Sequence, residues 1–228
     1  MCARRAGTAA ADRRQLIIDA ARKLFASKPY DQVTTSEIAG SAGVAYGLIA
    51  HHFDNKRGLY LAVMNEIALE IAAVQLSPPP EGAALLDQLR HSLRSHIAYI
   101  DKHAGSFVAL LRGALGADPE HQTAVEGLRW RGAQRVLLAL GVAEPVPAAL
   151  RTSMHGWVGY LDEMMIDRIT HHDIDAEVLV EFAVAALVAT LRTATTQNPS
   201  ISYAPSVLSA LTAYVPASAT LTPAPVEH

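Results

Sequence analysis

The stretch TTSEIAGSAGVAYGLIAHHFDNK, residues 34–56, constrains the fold more than any other part of this 228-residue chain. Thr34 and Glu37 stand in capping-box spacing: the Thr hydroxyl can accept from the Glu37 amide while the Glu carboxylate reaches back, so a helix begins there. Gly43 keeps that helix short, and a second one follows. A pair of helices joined by such a turn needs a small residue at the crossing, a turn residue that tolerates an unusual backbone, and apolar residues that lock the pair to a supporting helix. Ala39, Gly43 and the set Ile38, Ala42, Val44 and Ile49 meet those demands. Ala45, Tyr46, Gly47, Leu48 and Ala50 are left facing outward on the second helix, with His51 and His52 at its end.

The supporting helix is predicted over 13–28, where Ile17, Ala20, Ala21, Leu24 and Phe25 recur at helical spacing before Pro29 stops it. Downstream, Asn55 caps a helix from Lys56 to about Leu76, ended by Ser77-Pro78-Pro79-Pro80. Further helices are predicted over 82–103, 106–115, 120–140, 148–170 and 175–195. No stretch sustains β alternation, so the fold is all-α: a three-helix head over 1–55, a larger helical body over 56–197, and a proline-containing, mostly irregular tail over 198–228. A short helix over 205–213 is compatible with the tail, to which no function is assigned.

Nineteen Lys and Arg face 22 Asp and Glu, a net charge of −3, yet the charge is unevenly placed. Residues 1–60 hold nine basic and five acidic groups, so an acidic total conceals a basic head suited to a polyanion. Lys56-Arg57 is the most telling local feature. Two cations at a helix start oppose the macrodipole by about 0.3 to 1 kcal/mol each, and a phosphate would reverse the sign. The single cysteine, Cys2, excludes an internal disulfide framework and fits a reducing cytosol. The N-terminus lacks the apolar run of a secretory signal. The most apolar stretch, 178–191, is interrupted by Glu181 and falls short of about 18 uninterrupted apolar residues, so no membrane span is expected and the chain is placed in the cytoplasm.

The head resembles the DNA-binding domain of the TetR family of bacterial transcriptional regulators. The resemblance rests on Leu24-Phe25, Thr34-Thr35, Ile38-Ala39, Ala42-Gly43-Val44 and His51-x-Phe53-x-Asn55-Lys56. Weaker likeness reaches about Thr195, through Pro29-Tyr30-Asp31, Leu111-Arg112-Gly113, Gly116-Ala117-Asp118-Pro119 and Gly156-Trp157-Val158-Gly159-Tyr160, which resemble a subgroup frequent in actinobacteria. It implies that Thr34, Thr35, His51 or His52, and Lys56 meet phosphates of a double-stranded operator, while Ala45, Tyr46, Gly47 and Leu48 approach base edges. The chain departs from the family at Ala50 and His52, where family members often carry Tyr. Tyr46 becomes the main base reader, able to pack on a thymine methyl. Modest direct readout is then supplemented by phosphate contacts, by the Arg4-Arg5 and Arg13-Arg14 clusters and by DNA shape.

In the body, the helix over 175–195 is apolar nearly all round, with Val178, Leu179, Val180, Phe182, Val184, Leu187, Val188 and Leu191, and so needs cover on more than one side. A second copy is the natural source, and the family resemblance implies the same: a homodimer through a four-helix bundle, with Gly156, Gly159, Phe182, Ala185, Ala186 and Ala189 at the contact. The resemblance also implies a cavity for a small hydrophobic or amphipathic effector. Its candidate lining is His96, Phe107, Leu110, Leu111, Trp130, Met154, Trp157, Tyr160 and Met164, each also a possible core residue. The expected function is a ligand-responsive regulator, a repressor on family grounds.

Two other classes compete. A helical interaction module without DNA binding would fit the thin recognition face. A metal-dependent enzyme would use the histidines, but His51-His52 and His171-His172 are adjacent, about 100 degrees apart on a helix, and cannot share an ion as an i, i+4 pair would. Asp162-Glu163 is expected on a solvated face, without a nucleophile elbow or glycine-rich phosphate loop beside it. No catalytic residue, metal or cofactor is assigned.

Overall fold

The computed structural model describes residues 2–74, 81–112, 118–142 and 144–216, with side chains from Asp12 onward. Among the described residues there are helices and no strands. α1 (Cys2–Ser27) runs into a single 3-10 turn at Tyr30–Gln32, followed by α2 (Thr35–Ala42), α3 (Gly47–Phe53) and α4 (Lys56–Val74). The body adds α5 (Leu85–Lys102), α6 (Ala104–Arg112), α7 (Pro119–Ala139), α8 (Ala148–His171), α9 (Ala176–Gln197) and α10 (Pro205–Ala213). The expected ends at Leu76 and Leu115 lie outside the described residues, and α5 starts three residues later than its apolar pattern predicted.

Local chemistry accounts for most starts and stops. Thr34 Oγ1 accepts from the Glu37 amide at 3.1 Å, Asp118 caps α7 ahead of Pro119, and Asp175 caps α9. The Glu37 carboxylate also meets Lys28 Nζ at 2.5 Å, pinning α2 to the end of α1. That pairing, with the Thr34 contact, holds the Glu37 carboxyl below its ordinary range. Gly43 ends α2 at φ +65, the left-handed turn its lack of a side chain permits.

Ile17, Ile18, Ala20, Ala21 and Phe25 of α1 are buried against Ile38 and Ala39 of α2, Ile49 and Phe53 of α3, and Leu59, Tyr60 and Val63 of α4. This core continues without a break into the body. α4 therefore belongs to both halves, packing on α1 and α3 at one side and on α5, α6 and α7 at the other. Arg22 of α1 reinforces the joint: its guanidinium meets the Glu70 carboxylate at 2.6 and 2.7 Å, and Tyr99 donates to the same carboxylate.

α9 is long and apolar enough to cross a membrane by length and composition alone, a test that a buried core helix also passes. Here it is a wall of the body. Leu179, Val180, Ala183, Val184, Leu187, Val188 and Leu191 are buried, and its carboxylates are held by α5, Arg90 on Glu181 and Arg94 on Glu177, each at 2.7 Å. The tail is more ordered than expected as far as residue 216. Ile201, Tyr203, Val207 and Leu211 are buried, and Arg192 Nε donates to the Leu211 carbonyl at 2.9 Å, fastening α10 to the body. Residues 217–228 lie outside the described residues.

Candidate nucleic-acid interface and internal cavity

α3 is only seven residues long, too short to hold itself in water, and is placed by what it buries. Ile49 and Phe53 face the core, which turns Ala45, Tyr46, Gly47, Ala50 and His51 to solvent. Ala45 and Tyr46 sit just before the helix rather than within it. Tyr46 is 60% exposed, and Thr35 at the start of α2 donates to its phenol oxygen at 3.3 Å. The hydrogen bond ties the two helix starts together and steadies an exposed ring. Thr34 is exposed beside it, whereas Leu48, expected to face outward, is half-buried and packed on the core. Its neighbour Ile49 cannot fill that side alone, so the apolar stripe of α3 is wider than its spacing suggested.

His51 and His52 pack edge to face at the end of α3. His52 is held below the ordinary imidazole range, first by desolvation and then by the charges of His51, Arg14 and Arg13. Those influences place the Arg13-Arg14 cluster within electrostatic reach of α3. Arg14 also lies over the Phe53 ring at 5.2 Å and 3.8 Å from Glu66. The side chains of Arg4 and Arg5 lie outside the described residues.

Both cations of the Lys56-Arg57 pair meet groups of the chain itself. Arg57 is held by the Asp118 carboxylate at 2.7 and 2.9 Å and by Glu120 at 2.8 Å, so it joins α4 to the start of α7. Asp118 is held down to about 2 by this pairing. Lys56 Nζ rests 4.1 Å from the Tyr30 ring centre. The unfavourable placement of two cations at a helix start is offset within the chain, by an aromatic face and two carboxylates. No sequence spacing links 57 with 118, so only the fold reveals it.

The body encloses a cavity of about 470 Å³ between α5, α6, α7, α8 and α9, reached also by Ile71 of α4 and Leu211 of α10. Of the nine candidates, His96, Phe107, Leu110, Leu111 and Trp157 line it. The other four candidates do not. Met154 is fully buried in the core, Tyr160 is 43% exposed on the outer face, and Trp130 stacks on His155 at 5.1 Å. Met164 is also absent from the lining. Trp157, Val158, Leu161 and Asp162 of α8 line the cavity, while Tyr160 is turned to solvent beside them. Trp157 is also fixed in place, its indole N–H donating to the Ala183 carbonyl at 2.9 Å.

The cavity is more polar than its apolar candidates implied. Gln88, Ser92, His96, Arg129, Arg135 and Asp162 all reach it. Asp162, expected on a solvated face with Glu163, is buried, and Arg129 Nε donates to it at 2.7 Å. Burial pushes its carboxyl up to about 6 against the opposing pull of Arg129. Glu163 is exposed and pairs with Arg112. Adjacent helical positions diverge, and here one turns in and the other out. His96 is buried, and desolvation followed by the charge of Arg135 pushes it down to about 4. Among the described residues no group of three His, Cys, Asp or Glu side chains could hold a metal ion.

On the outer side, α8 and α9 expose Gly156, Tyr160, Val178, Phe182 and Ala189, with Gly159, Ala185 and Ala186 half-buried. A Cβ built at Gly156 or Gly159 meets nothing within 4 Å, so packing inside the chain does not require either glycine.

Residues 17–63 match the family model described as bacterial regulatory proteins, tetR family, and residues 85–190 match that described as tetracyclin repressor-like, C-terminal domain. Together they take in both the turn-linked helices and the cavity walls. The chain belongs to the TetR family. Among TetR-type relatives, it is 30% identical over 126 residues to the HTH-type transcriptional repressor AcnR of Corynebacterium diphtheriae, covering 55% of this chain and 59% of the relative. It is 39% identical over 64 residues to an HTH-type transcriptional repressor of Mycobacterium tuberculosis, covering 28% and 34%. The chain thus spans less than two thirds of the length of these curated relatives. Solved TetR-family structures share its fold. A regulator from Streptomyces coelicolor has a TM-score of 0.74 at 24% identity, covering 88% of each chain. FadR of Bacillus subtilis, solved with stearoyl-CoA, has a TM-score of 0.61 at 21% identity, covering 77% of this chain and 98% of its own.

Proposed function

We propose that this TetR-family chain is a cytoplasmic, dimeric DNA-binding regulator, acting as a repressor that a small amphipathic molecule releases from a near-palindromic operator. One observation carries the reading. The turn-linked helix presents Ala45, Tyr46, Gly47 and His51 to solvent on a head that shares one core with a body containing a 470 Å³ cavity. Thr34, Thr35, His51 or His52, and Lys56 meet phosphate oxygens, and Tyr46 meets base edges, in a family member whose direct readout is modest. The apolar outer face of α8 and α9, with two glycines that the chain's own packing leaves open, meets its copy in a four-helix bundle. Two recognition helices then enter major grooves about 34 to 36 Å apart, or a multiple of that distance. The relatives named as repressors and the stearoyl-CoA complex of FadR support repression and an amphipathic effector.

The test is to pass fragmented genomic DNA over the purified protein at low salt and sequence what is retained. The expected result is enrichment of a near-palindromic site whose affinity falls steeply between 50 and 200 mM salt, with Lys56→Ala reducing both affinity and salt slope. Retention of no fragment would overturn DNA binding.

A further inference from the structure

Resting on the reading of the cavity as the effector site, we infer that Leu211 of α10 is a specificity-determining residue of that site, a wall that sets how long a ligand the cavity accepts, with Arg192 of α9 as the residue that positions it. α10 lies beyond the segment 85–190 that matches the C-terminal family model. Leu211 is nonetheless buried and borders the cavity beside Leu187, Val188 and Leu191 of α9. The cavity opens near the end of α7, where Leu138 borders it while 73% exposed. α10 crosses close to that opening. A Cβ built on Gly141, just after α7, would stand 3.9 Å from the Ala204 Cβ at the start of α10. The helix then packs on α5, and its last turn is fastened to α9.

What holds α10 is narrowly defined. Residues 198–216 carry no charged side chain, so the segment has no ion pair of its own to fix it. A helix of nine residues does not persist in water by itself. Pro205 pre-sets the first turn, and Val207 and Leu211 are buried. The last carbonyls of a helix have no partner within it, and Arg192 supplies one. Its Nε donates to the Leu211 carbonyl at 2.9 Å, and its Nη2 donates to the same carbonyl, to that of Tyr214 at 3.0 Å and to that of Thr212 at 3.3 Å. A cation at a helix C-terminus also suits the macrodipole. Because the guanidinium grips the carbonyl of Leu211 itself, one side chain sets how deep the leucine sits. Its branched chain takes up space that the alkyl part of a ligand would otherwise fill. In an apolar pocket one methylene too many or too few changes affinity by about 10- to 200-fold, so this residue can select among chain lengths.

Trp157 borders the cavity and Trp130 does not, so Trp130→Phe leaves a single tryptophan as reporter. Alkan-1-ols from hexan-1-ol to dodecan-1-ol are titrated against this protein, and affinity should rise with length to an optimum and then fall. In Leu211→Ala the first alcohol beyond the parent's optimum should bind about tenfold or more tighter than it does in the parent. In Leu211→Phe the optimum should move to a shorter alcohol. Arg192→Gln should broaden the length preference, and Arg192→Lys, which keeps a donor for the carbonyls, should restore most of it. A merely structural role for Arg192 would lower the melting temperature and leave the length preference in place, which would overturn its positioning role. A parent without an optimum, no saturable binding of any alcohol, or an optimum unmoved in a folded Leu211 variant would each overturn the inference. The two Leu211 substitutions act in opposite directions, so loss of one to misfolding leaves the other as the test. Binding is read without DNA, so a failure here is distinguishable from a failure of the regulator reading, which is decided by DNA retention.

Discussion

At the residue scale, the positions that matter most are those whose surroundings contradict their type. Tyr46 is a large aromatic ring left in solvent, with the Thr35 hydroxyl donating to its phenol oxygen. Tyr46→Ala should therefore leave folding stability within about 0.5 kcal/mol of the parent. Operator affinity should fall by about 1 to 3 kcal/mol, measured by fluorescence anisotropy on the selected site. Asp162 and His96 are ionisable groups taken from water, and their effects on stability oppose each other. Asp162 rises from 3.8 to about 6, so in that window the folded chain holds a proton that the unfolded chain has released, and stability falls as pH rises. His96 falls from 6.5 to about 4, so there the unfolded chain holds the extra proton, and stability rises with pH. Asp162→Asn removes the falling contribution. Its urea midpoint should climb more steeply than the parent's between pH 4 and 6.5.

At the element scale, the aim of α3 is set by its joint with α4. Asp54 holds φ +63, Asn55 Oδ1 accepts from the Gly58 amide at 2.9 Å, and a Cβ on Gly58 would lie 2.1 Å from the Phe53 carbonyl oxygen. Sequence reading passed over Gly58, because a glycine one turn into a helix carries no signal until the neighbouring backbone is placed. Gly58→Ala must push α3 away from α4. The expected result is a loss of about 1 to 3 kcal/mol in stability and a larger loss of operator affinity than Gly40→Ala, whose added Cβ meets nothing, as read by thermal melts and anisotropy. By contrast, the capped starts of α2, α7 and α9 were legible beforehand. Capping is decided within four residues, and the chain spells those residues out.

At the scale of the whole molecule, the head and cavity are linked through α4 and α7. Arg57 follows α3 by four residues and grips Asp118 and Glu120 at the start of α7, the helix that carries Arg129 and Arg135 to the cavity. Arg57→Gln should leave ligand affinity and operator affinity each near the parent's, while reducing the fold-change in operator affinity that ligand produces. Coupling of about 1 to 3 kcal/mol is enough for 5- to 150-fold release, so the loss is measurable by titrating ligand into the operator complex. Phe182 is half-exposed on the outer side of α9. Phe182→Glu should turn a dimer into a monomer in sedimentation velocity, with the helical circular dichroism signal retained.

What the chain's order of residues determined by itself is the local and periodic part: an all-helical body, the turn at Gly43, the buried stripe of α1, the basic head on an acidic chain, and the family. Each depends on spacings of a few residues or on a count. Only the tertiary structure decided which partners meet across long separations. Arg57 met Asp118, Asp162 turned inward to Arg129, Tyr160 turned outward, and the tail docked through Leu211. The physical reason is that helical period assigns a residue to a face. Which neighbour covers that face, and what charge waits there, follows from packing between helices distant in sequence.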